Sequence, residues 1–273
     1  MSETLTPLDV LPAKPRIGLF VTCLVDLMRP SVGFAALRLL ERAGAEVVVP
    51  EKQTCCGQPA YNSGDMADAR SIAQNVIEAF ADFDHVVAPS GSCTGMIVEH
   101  YAKLFADDGP WRARAEDLAA RTYELTTYLV DHLDLNNTGA AFDGSATYHD
   151  SCAGLRELGV KKQPRTLLAT VDGLTLNEMD EAETCCGFGG LFSIKYPDIS
   201  GAIVDKKAAC AEQAESDLLL GGDLGCLMNM AGKLARRGSK VRVFHVAEVL
   251  ANMTDVPAIG EAPSESPNEG EPT

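Results

Sequence analysis

The chain contains 273 residues, of which 39 are acidic and 23 basic, and its formal net charge is −16. This acidic balance argues against nucleic-acid binding, which needs clustered Lys and Arg side chains. Because 46% of the residues are apolar, the chain can bury a core, and wholesale disorder is excluded. The length suits one large or two small domains.

Predicted strands and helices alternate through the first half of the chain. The predicted strands are 16–22, 45–49, 85–88 and 123–125. The predicted helices are 31–43, a segment capped by Asp65 that runs to about Phe80, a segment ending at Leu104, and 128–133. In helix 31–43 the residues expected to face the core are Phe34, Leu37, Leu39 and Leu40.

The second half repeats this alternation. Its predicted strands are 146–149, 174–176, 217–220 and 241–244, and its predicted helices are 197–214 and 246–252. Such alternation predicts parallel α/β sheets. At the two ends, residues 1–14 are expected to form an irregular lead-in. Residues 255–273, rich in Pro, Glu, Ser and Gly, are expected to form a disordered acidic tail.

No stretch approaches the roughly 18 consecutive apolar residues of a membrane-spanning helix. The first ten residues, MSETLTPLDV, lack the basic and apolar regions of a secretory signal, so we expect a cytoplasmic protein. Disulfides are rare in that reducing compartment, and an odd number of cysteines, nine, cannot all pair. The cysteines therefore point to metal ligation or thiol chemistry.

Eight of these cysteines belong to an internal repeat. The motif TCCG occurs twice, and each copy has one cysteine upstream and one downstream. The upstream spacings are 31 and 32 residues, and the downstream spacings are 36 and 39. The first quartet is Cys23, Cys55, Cys56 and Cys93, and the second quartet is Cys152, Cys185, Cys186 and Cys226. Matched spacings predict two copies of one module, at residues 15–140 and 141–254.

Every cysteine of the two quartets follows a predicted strand. Since the carboxyl ends of parallel strands meet at one edge of a sheet, where ligands bind, we expect each quartet to gather at one end of its sheet. Four soft thiolates suit an iron–sulfur centre or zinc. Structural zinc usually uses closely spaced cysteine pairs separated by a few residues, and neither copy has one. An iron–sulfur centre is therefore favoured, with zinc and thiol–disulfide chemistry as the alternatives.

The glycines beside the cysteine pairs fit such a centre. Gly57 follows the first pair, and Gly187, Gly189 and Gly190 follow the second. Glycine permits close backbone approach, so amide N–H groups could donate to cluster sulfurs and raise the reduction potential. The alternative is that these glycines only turn a strand into a helix.

Other polar residues near the cysteines permit two interpretations. His149 could donate to a cluster sulfur or move a substrate proton, or it could be a hydrogen-bonded packing residue. Asp150 and Asp26 are expected to cap turns or helix starts. Cys210 lies outside the repeat in a predicted helix and is expected to be a buried structural thiol. The sequence contains no dinucleotide fingerprint, phosphate loop or HExxH motif.

Taken together, the motifs resemble the CCG cysteine-rich domain, which occurs twice in several redox subunits. These include the heterodisulfide reductase B subunit and the glycolate oxidase iron–sulfur subunit, and the sequence is most similar to the lactate utilization protein A family. The motifs that carry the resemblance are TCLVD at 22–26, TCCGQPAYNSGD at 54–65, GSCTGM at 91–96, TCCGFGGLFSIKYP at 184–197 and GCLMN at 225–229. The similarity covers residues 15–252.

This resemblance implies two pseudo-symmetric Rossmann-like halves and one [4Fe–4S] cluster per module, held by the two quartets. It also implies a role in oxidising a 2-hydroxy acid, L-lactate, to pyruvate with two further lactate-utilisation subunits, at least one of them an iron–sulfur protein. In the heterodisulfide reductase relative, each module ends in CxxC and binds a non-cubane cluster through five cysteines. Met96 and Asn229 occupy the final position here, which favours four-thiolate clusters or an unusual fifth ligand.

The expected function is therefore an iron–sulfur subunit that accepts and passes electrons during lactate oxidation. Because the sequence has no flavin or nicotinamide motif, we expect an oxidoreductase subunit that is active only with its partners. The alternatives are a heterodisulfide- or glycolate-type redox subunit and a zinc-organised scaffold without redox activity.

Overall fold

The computed structural model describes residues 14–261, which form two four-stranded sheets. The strands of the first sheet are β1 (Arg16–Leu19), β2 (Glu46–Val48), β3 (His85–Ala88) and β4 (Thr122–Glu124). Those of the second sheet are β5 (Ala141–His149), β6 (Asp172–Leu176), β7 (Leu218–Gly221) and β8 (Arg242–His245). Every strand pair is parallel, and the orders β2-β1-β3-β4 and β6-β5-β7-β8 repeat one another. The predicted pair of Rossmann-like modules with parallel sheets is confirmed.

Helices connect the strands in both modules. In the first module they are α1 (Cys23–Met28), α2 (Pro30–Arg42), α3 (Gln58–Ser63), α4 (Met66–Ala79), α5 (Gly91–Gly95), α6 (Tyr101–Leu104), α7 (Gly109–Ala120) and α8 (Leu125–Thr127). In the second they are α9 (Cys152–Leu158), α10 (Lys162–Leu168), α11 (Phe192–Lys195), α12 (Pro197–Gln213), α13 (Leu224–Arg237) and α14 (Val246–Leu250). Two π-helical segments, Met96–His100 and Tyr128–His132, follow α5 and α8. None of the helices described is long and apolar enough to cross a bilayer.

Local sequence signals explain several of these elements. The Asp65 carboxylate accepts a hydrogen bond from Asp68 N at 3.1 Å, which confirms the predicted cap of α4. The first strand ends earlier than predicted, at Leu19, because Thr22 adopts a left-handed φ of 74° and α1 begins immediately after it. The expectation that Phe34 faces the core is wrong, since its side chain is 63% exposed. The face of α2 that packs inward carries Ala35, Ala36, Leu39 and Leu40.

The segment after the last helix packs on the second module. Ala258 and Ile259 are only 2% and 8% exposed, and Ile259 N donates to Val243 O at 2.8 Å. The prediction of disorder from residue 255 is therefore wrong for 255–261, because the side chains of Ala258 and Ile259 pack into the apolar cores of the folded chain. The remainder of the predicted tail and nearly all of the predicted lead-in lie outside the described residues.

The two modules share one apolar core. Ile17 and Leu39 of the first module belong to the same buried cluster as Leu220, Phe244 and Leu250 of the second. Helix α2 packs against α14 across this junction. A core that spans both modules means that neither sheet buries its apolar surface alone.

Polar contacts also join the modules at the edge where the strands end. The Asp223 carboxylate accepts hydrogen bonds from Ser92 N at 2.9 Å and Ser90 Oγ at 3.3 Å. His245 Nε2 contacts Pro89 O at 3.1 Å. The side chains of Asp223 and His245, which both belong to the second module, are buried. These bonds attach the start of α5 to the second module.

Close backbone contact between α5 and α9 depends on Gly91. A Cβ at this position would lie 2.8 Å from Gly154 Cα and 2.9 Å from Ser151 Oγ. We expect Gly91→Ala to lower the free energy of unfolding by about 1–3 kcal/mol through overpacking, as measured by urea denaturation. The control is Gly201→Ala inside α12, where nothing lies within 4 Å of the new Cβ. It should instead stabilise by about 0.5–1 kcal/mol, and equal effects of the two changes would contradict the packing argument.

Glu124, at the end of β4, is a buried carboxyl at the junction. One oxygen accepts hydrogen bonds from Thr126 N at 2.8 Å and Thr127 N at 3.1 Å, which caps α8. The side chain also lies beside Tyr148 and Gly222 of the second module. Burial raises the pKa of Glu124 from 4.5 to about 7, because the charged form loses its hydration.

This raised pKa predicts a stability change between pH 5 and 8. In that range the folded protein binds a proton that the unfolded chain has released, so this contribution to stability is present at low pH and is lost as pH rises through about 7. Relative to Glu124→Gln, which cannot titrate, the natural protein should lose about 2–3 kcal/mol from pH 5 to pH 8. Urea denaturation of both proteins at the two pH values measures the difference, and parallel profiles would refute it.

Candidate metal centre

The fold brings the first quartet together at the carboxyl edge of its sheet. Cys23 is the first residue of α1, Cys93 lies in α5, and the Cys55–Cys56 pair lies in the loop between β2 and α3. The Sγ atoms of Cys23 and Cys55 are 3.6 Å apart, and those of Cys56 and Cys93 are 3.4 Å apart. Thiols separated by more than thirty residues of sequence are therefore neighbours in space.

The second quartet is assembled in the same way. Cys152 is the first residue of α9, Cys226 lies in the first turn of α13, and the Cys185–Cys186 pair lies in the loop after β6. The thiol of Cys185 interacts with those of Cys152 and Cys186, and Cys186 also interacts with Cys226. All of these thiols are free of disulfides. Both predicted quartets are thus spatial clusters.

Backbone amides point at the cysteine sulfurs in both modules. Gly57 N donates to Cys55 Sγ at 3.4 Å, and Gly187 N donates to Cys185 Sγ at 3.3 Å. Both glycines have φ of 82°, a left-handed conformation that an L side chain would strain. The glycine after each pair therefore places an N–H against a sulfur, and it also forms the turn.

One thiol in each quartet is strongly acidic. Hydrogen bonds from Cys23 and Cys56 lower the pKa of Cys55 to about 3, and the corresponding bonds from Cys152 and Cys186 lower the pKa of Cys185 to about 2. The thiols that donate these bonds have raised pKa values. Because the thiolate is the form that ligates a metal, the hydrogen bonds that lower the pKa of Cys55 and of Cys185 favour metal binding, and the other thiols lose their protons as the metal binds.

A cavity of about 370 Å³ lies beside the first quartet, between the modules. Its wall includes all four thiols of that quartet, with Phe188, Leu191 and Ile194 from the second module. Most of the lining is apolar, and among the described residues that form it there is no Lys, Arg or His. A soft metal cluster therefore suits this space better than an anionic metabolite.

The spread of the sulfurs distinguishes between kinds of metal centre. Among residues 14–261, only one set of three potential ligand atoms lies mutually within 4.8 Å, and it comprises His149, Cys186 and Cys226. The sulfurs around a single tetrahedral zinc lie about 3.8 Å apart, as follows from Zn–S bonds of about 2.3 Å. Neither complete quartet is that compact. The eight soft donors, with their amide hydrogen bonds, fit a cluster with several metal corners.

The other residues singled out in the sequence take different places. His149 is buried beside the second quartet, where burial, with help from the Lys207 ammonium, lowers the pKa of His149 to about 3. Asp150 forms a bidentate ion pair with Arg165 at 2.8 and 2.9 Å, so its role is structural. Asp26 is an exposed residue of the first turn of α1, and Cys210 is half-buried in α12, outside both quartets.

Three residues at the sites were not foreseen. Lys207 is 2% exposed and donates to the carbonyls of Glu181 and Ala182, just before the second cysteine pair. The Phe188 ring covers Gly225, where a Cβ would lie 2.4 Å from the ring. Asp223 joins the modules, as described above. The burial of Lys207 could have been recognised in the sequence, because this lysine lies within an apolar helical pattern, KKAAC.

Comparisons with known proteins agree with this architecture. The family model described as a CCG cysteine-rich domain matches residues 17–98 and 146–231. Lactate utilization protein A of Geobacillus kaustophilus is 52% identical over 235 residues, which cover 86% of this chain and 98% of that protein. The protein of the same name from Bacillus subtilis is 49% identical, with the same coverage. The chain belongs to the lactate utilization protein A family.

A solved structure of low sequence identity shares this fold. A hypothetical protein from Helicobacter pylori, known from its crystal structure, superimposes with a TM-score of 0.62 at 13% sequence identity. The similarity covers 92% of this chain and 50% of that one, so the chain spans half of the larger protein. At this identity the likeness concerns the fold alone.

The quartets can be tested by removing one thiol. We expect Cys186→Ser to lower bound iron by about half, because the second quartet loses a ligand while the first keeps its own. The matched control is Cys210→Ser, which removes a half-buried thiol outside the quartets and should leave the metal content unchanged. Metal analysis of anaerobically purified protein measures both. Full iron content in Cys186→Ser would mean that the 185–186 pair is not a ligand set.

Proposed function

We propose that this chain is an iron–sulfur subunit of a lactate-oxidising system and carries electrons through one [4Fe–4S] centre in each quartet. The observation that carries the proposal is the convergence of two sets of four thiols, each at the carboxyl edge of a parallel sheet, in a member of this family. The names of the relatives supply the link to lactate.

The residues of the chain would hold and tune the two centres. When bound, an iron–sulfur cluster supplies reversible one-electron transfer. The four thiols of each quartet would hold it. The N–H groups of Gly57 and Gly187 already face cysteine sulfurs and would delocalise their negative charge, which favours the reduced form and raises the potential.

The cavity beside the first quartet supports electron transfer over binding of lactate by this chain. A 2-hydroxy carboxylate is bound most strongly by a cationic side chain such as Arg, and the lining has none among the residues described. The Asp223 carboxylate, which also lines the cavity, would repel the substrate anion. We therefore assign oxidation of the hydroxy acid to the partner subunits and electron transport to this one.

A zinc-organised scaffold is the second candidate, and one observation favours it. His149, Cys186 and Cys226 place three zinc-type donors within 4.8 Å of one another. That arrangement leaves Cys152 and Cys185 of the same quartet without a function, and it has no counterpart in the first module, where Phe20 stands in the place of His149. Glycolate- or heterodisulfide-type electron transfer would use the same centres with a different donor.

Anaerobic purification tests the proposal directly. We expect about eight iron atoms and as many acid-labile sulfides per chain, as two four-iron clusters require, together with an electron paramagnetic resonance signal on reduction. Zinc without labile sulfide would end the redox proposal.

With the two partner subunits added, lactate should reduce these clusters faster than glycolate, and a heterodisulfide should not reoxidise them. The chain alone, incubated with lactate, is the control and should remain oxidised. Reduction by glycolate in preference to lactate would transfer the assignment to the glycolate-type alternative.

A further inference from the structure

His149, the last residue of β5, has an unusual environment. The residue is buried, with only 1% of its surface exposed, yet neither ring nitrogen has a hydrogen-bond partner among residues 14–261. Leaving a buried polar group unpaired is destabilising, and native proteins seldom tolerate it without a reason. The ring therefore lacks a partner that the functional protein is expected to supply.

The position of the ring indicates what that partner is. A ring nitrogen lies within 4.8 Å of the sulfurs of both Cys186 and Cys226, which also lie within that distance of each other. Although these sulfurs are near, the ring makes no hydrogen bond to either of them in the described structure. Its nitrogen instead shares with them the space that a metal of the second quartet would occupy.

Backbone groups around the ring support the same interpretation. The Ala182 carbonyl lies near the imidazole without making a hydrogen bond to it, and it is fixed in place because Lys207 Nζ donates to it at 2.9 Å. Metal-bound histidines usually direct their second ring nitrogen at such a carbonyl. Asn229 does not compete for the metal, since its amide donates to Cys186 O at 2.9 Å and so orients the cysteine pair.

The first module has no equivalent group. Counting back three residues from the first cysteine of each quartet gives His149 in the second module and Phe20 in the first. Phe20 is fully buried and packs edge-on against Phe80 at 5.5 Å. Two modules that share topology and thiol spacing therefore carry different side chains at this matched position, three residues before the first cysteine.

We propose that His149 is a nitrogen ligand to the metal centre of the second quartet, so that the two centres of the chain are chemically different. This rests on the proposed function, because it assigns a fifth protein ligand to one of the two proposed clusters. Ligation uses the lone pair of the neutral imidazole and moves no proton. Since imidazole is a neutral donor added to four thiolates, the second centre has one ligand more than the first and the same ligand charge, so the two centres should have different potentials.

The test uses protein labelled with [15N]histidine, purified anaerobically and examined by pulsed electron paramagnetic resonance after reduction. We expect the strong nitrogen coupling of a directly bound histidine. It should disappear in His149→Phe, which copies the first module. It should persist in His132→Phe, which removes an exposed histidine stacked on Tyr128. In a redox titration, His149→Phe should shift the potential of one centre and leave the other unchanged.

A second variant guards against simple loss of the cluster. His149→Cys replaces the nitrogen donor with a thiolate, so it should keep full iron content while the nitrogen coupling disappears and the potential of one centre falls. Two intact clusters without histidine coupling, or with only the weak coupling of a hydrogen-bonded ring, would overturn the ligand assignment and leave the proposed function standing. Protein that contains no iron–sulfur cluster at all would instead refute the proposed function.

Discussion

The parallel arrangement of three neighbouring strands is the constraint on which the rest of this structure depends. Strands β2, β1 and β3 end at one edge of the first sheet, and β6, β5 and β7 do the same in the second. Each delivers one cysteine or a pair of cysteines to that edge, so thiols separated by 31 to 39 residues meet. Because no pair is joined by a local loop of a few residues, the donor set exists only when the sheet is formed. Metal affinity and folding are therefore linked.

The junction between the modules adds a second level of organisation. A core shared by α2 and α14 holds the sheets together, and Asp223 of the second module fixes the start of α5 two residues before Cys93. The cavity beside the first quartet is completed by second-module side chains. The surroundings of the first site are thus built by both halves of the chain.

Duplication also provides an internal comparison. Both modules keep the strand order, the four thiols and the glycine amide that points at a sulfur. They differ in what packs behind the thiols, where Phe20 closes an apolar core and His149 presents an unpaired imidazole. Lys207 is a further difference, since its buried ammonium donates to the Ala182 carbonyl in the loop before the second cysteine pair. Under the proposed function, such a difference would give electron flow a direction, because identical centres provide none.

Much of this protein was determined by patterns that are local in sequence. Strand and helix alternation follows from the spacing of apolar residues, and the repeated TCCG motif with its matched cysteines identifies both quartets, since register along a chain is preserved when a module is duplicated. Other features were decided only by tertiary structure. The exposure of Phe34, the burial of Ala258 and Ile259, and the bridge made by Asp223 all depend on which distant surface each residue meets. The unpaired imidazole of His149 belongs with them, because a sequence records where a polar group lies along the chain but not whether the fold supplies its partner.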